Sequence, residues 1–410
     1  MAVHICLMTR TTLEHSVKGG MEHHADIVSR GLAARGHRIT AITTQHPDGK
    51  SEILTPGVRT IFLPHSADRA YATAWWRESA DAFDQLHRED PVDIIWSQGI
   101  GAYGVLCRPA GPNVPCVAIL HGTPLGDWRG KRREWGLRPA YLPRMTRFAL
   151  RTLLFHRRFR ITCRRSDAVI CVSPQLAEDA VREFGIQTDR VIEIPNGVNT
   201  DTFAPDEMAR HALRSRLEIP EGGFVLLTAG RLEQAKGHHL AFQVAATLLQ
   251  QGHPVWVIVA GSGPDEVWLR QQAESRGLAG RVRWQGYVPH EEMPGVYNAC
   301  DAALVLSLHT EAFPYAVVEA MSCARPVAAS RVGGIPAAIA HGQNGFLVAP
   351  GDANSAAKQV AILLQDGARR AAIGQAARQT VLARFTVDRM IFGTESVFLQ
   401  HARRREVAAR

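Results

Sequence analysis

No apolar run in this chain of 410 residues reaches membrane-spanning length. The first strand pattern begins at Val3 without a charged lead-in or a small-residue cleavage site, so no secretory leader is expected and the chain should be cytosolic. The seven cysteines are scattered, several of them within apolar strands, and none falls in a Cys-x-x-Cys or Cys/His ligand spacing. Buried, reduced thiols are expected rather than a disulfide framework or a zinc site. The chain has no G-x-x-x-x-G-K-[ST] phosphate loop, and Gly261-Ser-Gly263 is only half of a dinucleotide fingerprint, which argues against a P-loop nucleotidase and against an NAD enzyme. Asp-x-Asp occurs nowhere, and there is no internal repeat or low-complexity segment.

What is present is a long alternation of short β-rich apolar runs with helical stretches, the pattern of parallel sheets covered on both faces. A first set of strands is expected at 3–8, 38–43, 93–96, 117–120, 168–172 and 191–194, and a second at 225–228, 255–260, 282–285, 302–306, 327–329 and 346–348. Two such sets, in a chain longer than one core usually supports, predict two Rossmann-like α/β domains, 1–200 and 201–384, with a helical segment at 385–410. Turn residues between Pro195 and Pro205 mark the linker.

The most informative local pattern is Glu311-Ala-Phe-Pro-Tyr-Ala-Val-Val-Glu319. A buried strand precedes it, and Pro314 suits a first helical turn, so Glu311 falls on a strand–helix loop and Glu319 a little over a turn into the helix. Such a pair can hold hydroxyls at both ends of a ligand whose phosphates lie over the helix N-terminus between them. Spacing alone also fits an exposed loop acid and a helix-surface acid. Upstream, Arg231 and Lys236 lie on the loop after a strand that ends in Gly230. In isolation they read as solvated loop charges; beside a phosphate-bearing ligand they could instead supply fixed cations where no metal is held.

Together with Lys18-Gly19-Gly20-Met21-Glu22, His121-Gly122, Ser173-Pro174, Pro195-Asn196-Gly197-Val198, Val332-Gly333-Gly334 and Asn344-Gly345, these elements resemble family 4 of the retaining glycosyltransferases over most of the chain. The resemblance implies the GT-B architecture: an acceptor-side domain and a nucleotide-sugar-binding domain facing across a cleft, with the last helix crossing back to the first domain. It implies transfer of a sugar, with retention, from a nucleoside-diphosphate sugar to an acceptor hydroxyl in cell-surface glycan or glycolipid synthesis. It assigns Glu319 to the ribose, Glu311 to the transferred sugar, Arg231 and Lys236 to the diphosphate, and the backbone of Gly286-Tyr287-Val288 to the base. His121 approaches the donor, Gly19 and Gly20 allow close backbone approach, and Ala312 and Phe313 complete the donor side. No cofactor and no metal are expected. Ala312 and Ala324 depart from the family pattern, standing where glycine is usual. A GT-B-type sugar-nucleotide epimerase and a catalytically silent nucleotide-sugar-binding subunit are the alternatives.

Residues 129–165 hold thirteen Lys/Arg against the single acid Glu134, a local net of +12 in a chain of +8, so the remainder carries −4. On a helical wheel Met145, Phe148, Ala149, Leu153, Phe155 and Phe159 share one face, and Arg144, Arg147, Arg151 and Arg158 an adjacent one. This pattern fits either an anionic membrane surface or a solvated basic face over a packed apolar one. Nucleic acid is not expected as a partner, because no binding motif accompanies the charge.

Overall fold

The computed structural model describes residues 2–15, 19–135 and 142–408, with the backbone alone at 133–135 and 403–408. Lys18 of the glycine motif and Arg138 of the basic segment lie outside the described residues. The chain divides into two compact units: residues 1–125, 144–196 and 387–410 form one, and 126–143 with 197–386 form the other.

In the first unit, β1 (His4–Met8), β2 (Arg38–Thr43), β3 (Glu52–Thr55), β4 (Val58–Phe62), β5 (Ile94–Gln98), β6 (Cys116–Leu120), β7 (Ala168–Cys171) and β8 (Val191–Glu193) form one sheet in the order β3-β4-β2-β1-β5-β6-β7-β8. All neighbours run parallel except β3 and β4, an antiparallel hairpin that the sequence reading did not anticipate. Its strands flank Pro56-Gly57, a turn signal, but both are short and β3 is largely exposed. Every residue of β1, β5 and β6 is buried, as expected of strands covered on both faces.

The last helix, Val387–Ala408, completes this unit. Met390, Ile391, Val397 and Phe398 join the core built from β1, β2, β5, β6 and β7 and from the helix Gly20–Ala34. Glu395 fixes its register by accepting from Arg35 (2.9 Å) and facing His37 Nε2 (2.9 Å).

The second unit holds β9 (Phe224–Ala229), β10 (Val255–Ala260), β11 (Val282–Gly286), β12 (Ala302–Val305), β13 (Val327–Ser330) and β14 (Phe346–Val348), all parallel, in the order β11-β10-β9-β12-β13-β14. Strand order reverses between β1 and β5 in the first sheet and between β9 and β12 in the second. Loops leaving the carboxyl ends of strands at such a reversal diverge and open a crevice, the usual ligand position in open α/β sheets.

The basic helix, Leu142–Arg165, turns Thr152 and Cys163 inward and leaves Met145, Phe148, Phe155 and Phe159 half-buried. Two residues differ from the wheel reading. Leu153 is 65% exposed, and it joins the exposed Leu142, Leu150 and Leu154 on the outer surface. Arg158 is drawn in over the ring of Trp76, 4.8 Å from its centroid, and lies near Tyr103. The helix carries two apolar stripes, and a wheel cannot tell which one packs. Among the described residues no helix is long and apolar enough to cross a membrane.

Candidate functional site

In the second unit, the loop after β9 carries Arg231 and Lys236 and the loop after β12 carries Glu311, so the two loops flank the strand-order reversal. Lys236 Nζ lies 2.8 Å from Glu311 Oε1, an oxygen that also accepts from Ser307 Oγ at 2.7 Å. His309 stands 3.6 Å away. Burial alone would raise the Glu311 pKa, but the Lys236 charge, with His309 and the Lys236 and Ser307 hydrogen bonds, outweighs it and holds the carboxyl below its ordinary range. The carboxylate is therefore ionised and oriented, and it is not the exposed loop acid that spacing alone would have allowed.

Two glycines make this loop arrangement possible. Gly333 has φ +52, and a Cβ there would fall 1.9 Å from the Glu311 carbonyl oxygen, whose partner is the Gly334 N–H at 2.8 Å. Gly237 has φ +72, and a Cβ there would meet the Leu306 carbonyl at 2.0 Å. Just after it, His238 receives the Thr228 hydroxyl on Nδ1 (2.8 Å) and donates from Nε2 to the Arg231 carbonyl (3.0 Å), which pins the cationic loop to β9. Burial pushes the His238 pKa down to about 4, consistent with a fixed neutral tautomer. The Arg231 side chain is more than half exposed and pairs with Glu233 at 3.0 Å, so it is less constrained than Lys236.

Glu319 lies inside the helix Tyr315–Ser322, 5% exposed. Its Oε2 accepts from the buried Tyr297 hydroxyl (2.7 Å), and its Oε1 faces His290 Nε2 (2.8 Å). The His290 ring leans on Phe203, with centroids 5.0 Å apart. Neither Tyr297 nor His290 was singled out from sequence, and no motif signals them. Phe313 is buried with its ring against Phe385, so its side chain serves the core. Tyr287 is 59% exposed, and the Gly286 carbonyl already accepts from the Gly261 N–H (2.7 Å). Ala312 keeps a negative φ and needs no glycine, whereas Ala324 adopts φ +55, the left-handed conformation for which glycine is favoured.

In the first unit, Gly19 precedes the helix Gly20–Ala34 in an extended conformation, and both glycines are exposed. Glu22 folds back over Gly19 and accepts from the Thr11 hydroxyl. His121 follows β6 directly, with its ring edge-to-face with His24 at 4.6 Å. Burial holds its pKa down to about 4, so the imidazole is neutral at neutral pH.

A family model for glycosyl transferases group 1 matches residues 209–380, and one for glycosyltransferase family 4 matches residues 18–202. The chain is 34% identical over 405 residues to a D-inositol 3-phosphate glycosyltransferase of Xylanimonas cellulosilytica, covering 94% of this chain and 93% of that one. It is 28% identical over 408 residues to a glycogen synthase of Mycobacterium tuberculosis, covering 93% and 91% respectively. Among solved structures, sucrose-phosphate synthase from Thermosynechococcus elongatus superposes with a TM-score of 0.81 at 23% identity, over 97% of this chain and 98% of that one. This likeness is one of fold, the two-domain GT-B architecture.

Proposed function

The chain belongs to the group 1 and family 4 glycosyltransferases, and on that premise we propose that it moves a sugar, with retention, from a nucleoside-diphosphate sugar to an acceptor hydroxyl. The observation that carries this reading is the pairing of Lys236 with Glu311 beside the N-terminus of the helix that holds Glu319. A cation and peptide dipoles at that place stabilise the charge that develops on the diphosphate as the anomeric bond breaks. Glu311 supports front-face substitution over a covalent intermediate. One of its oxygens is committed to Lys236 and Ser307, which suits a hydroxyl-orienting carboxylate better than a nucleophile. In that step the anomeric carbon–phosphate oxygen bond breaks as the acceptor oxygen bonds to the same face, and the acceptor proton passes to the departing phosphate. Glu319 holds the ribose, and in the first unit His121, Gly19 and Gly20 are read as donor-binding residues.

No divalent metal takes part in this reading, because Lys236 and Arg231 supply the positive charge and no Asp-x-Asp is present. Transfer is expected to persist in excess EDTA. Abolition by chelator with rescue by Mg²⁺ or Mn²⁺ would refute the metal-free mechanism.

The acceptor, in the same proposal, is carried at an anionic membrane surface on which the helix Leu142–Arg165 docks. Its outer surface interleaves the exposed Leu142, Leu150, Leu153 and Leu154 with the exposed Arg144, Arg147, Arg151, Arg157 and Arg160. Leucines this exposed gain from burial in a bilayer interface, and each Arg near anionic headgroups contributes about 1 kcal/mol. Sedimentation of the full chain with phosphatidylserine vesicles should show binding that fades with salt. Leu150→Ser with Leu153→Ser, and Arg147→Glu with Arg151→Glu, should each weaken it while sparing donor affinity. Equal partitioning onto neutral and anionic vesicles, or none onto either, would return a soluble acceptor to first place.

A further inference from the structure

Gln98, the last residue of β5, is 1% exposed and stands between three elements of the first unit. Its Oε1 accepts from the indole N–H of the fully buried Trp96 at 2.9 Å. Because an indole nitrogen only donates, this contact fixes which end of the amide is oxygen. The Nε2 end therefore faces His121 Nε2 at 2.8 Å and the carbonyl of Met21 at 3.4 Å. An amide NH₂ only donates, so His121 Nε2 must present its lone pair, and the single ring proton of the neutral imidazole resides on Nδ1.

We propose that Gln98, itself held by Trp96, is the positioning residue that keeps His121 a neutral Nδ1–H donor and ties it to the Gly19-Gly20-Met21 turn. The inference rests on the reading of His121 as a donor-side group and specifies what that group does. With Nε2 occupied by an incoming N–H and Nδ1 protonated, His121 offers a hydrogen bond to the donor and has no site from which to act as a base. Protonation at Nε2 would set two N–H groups head to head. Facing the ring from the helix Gly20–Ala34 is His24, flanked by His23; from β5 the neighbour is Gln98, itself held by Trp96. Neither β5 residue carries a titrating group, and a proton on His24 would also oppose charge on His121.

The direct test is the ¹⁵N spectrum of imidazole-labelled full-length protein, assigned through a His121→Asn variant. Wild type should show His121 protonated at Nδ1 and bare at Nε2, with no titration between pH 8 and pH 5. In Gln98→Glu a carboxylate oxygen can accept where the amide donated. The proton should then move to Nε2 or the ring should gain a second one, its titration rising into the observed range. Turnover should fall by about tenfold or more, the scale at which groups that orient a functional histidine act, with a shifted pH profile and little change in donor KM. A wild-type ring protonated at Nε2, or a Gln98→Glu enzyme with unchanged spectrum and pH profile, overturns the proposal. Wild-type turnover in His121→Ala would instead remove the premise about His121.

Discussion

Replacing Lys236 with methionine keeps most of the unbranched apolar stem and removes the charge facing Glu311. In the wild-type protein the two groups are 2.8 Å apart, with Glu311 8% exposed and the Lys236 side chain 30% exposed. Removing one partner of a fully buried pair costs about 3–5 kcal/mol; partial exposure of the lysine and the surviving Ser307 hydrogen bond lower the expected loss here to about 2 kcal/mol. The sign of the pH dependence separates this cause from a simple packing defect. In wild type the Glu311 pKa is depressed, so its contribution is present above the ordinary carboxylate range and is lost as pH falls through the folded value. Without Lys236, burial dominates and lifts that pKa above the unfolded one, so the penalty is largest at neutral pH and is relieved on acidification. The stability gap between wild type and Lys236→Met should therefore narrow between pH 7 and pH 4.5 in urea unfolding of the full chain. The second unit's transition can be identified by its shift with saturating nucleoside diphosphate. Adding Glu311→Gln should recover most of the stability, while turnover stays down by about a hundredfold. A gap that is constant with pH, or a double variant as unstable as the single one, would refute the electrostatic account.

Tyr297→Phe deletes one of the hydrogen bonds that hold Glu319. Donor affinity measured by calorimetry should weaken by about tenfold with a smaller change in turnover, and unchanged affinity would detach Glu319 from the donor. Ala324→Gly releases a left-handed residue and should stabilise the second unit by about 1 kcal/mol in the same urea assay, partly offset by the freer unfolded chain. His238, neutral in the fold with a pKa of about 4, contributes stability that is fully present above the unfolded value near 6.5 and is lost as pH falls toward 4. His238→Gln should flatten that part of the stability profile, and an unaltered slope would show that other groups carry it.

Much of the fold is legible in the sequence because strands buried on both faces must be continuously apolar. This is true of Cys116–Leu120 and Val255–Ala260. The hairpin of β3 and β4 is not legible in that way, since Glu52, Leu54 and Thr55 face solvent. In the site, motif spacing picks out Lys236, Glu311 and Glu319 singly. The partnerships that set their chemistry join residues far apart in the chain, as Lys236 to Glu311, or fall on residues without a motif, as Tyr297, His290, Ser307 and Gln98. On the basic helix, periodicity revealed that apolar and cationic stripes exist. Which stripe packs depended on Trp76 and Tyr103, which draw Arg158 inward.

The placement of the helix Val387–Ala408 in the core of the first unit has a consequence for biosynthesis. Strands β9 to β14 and their helices all lie before residue 387, so the second unit can mature while translation continues. The first unit, although its β1 leaves the ribosome earliest, waits for Met390, Ile391 and Phe398 to seal its apolar face and for Glu395 to reach Arg35 and His37. Until then the surface around Val28 and Leu32 is uncovered, so nascent chains should be most exposed to chaperones and proteases through the half that is made first.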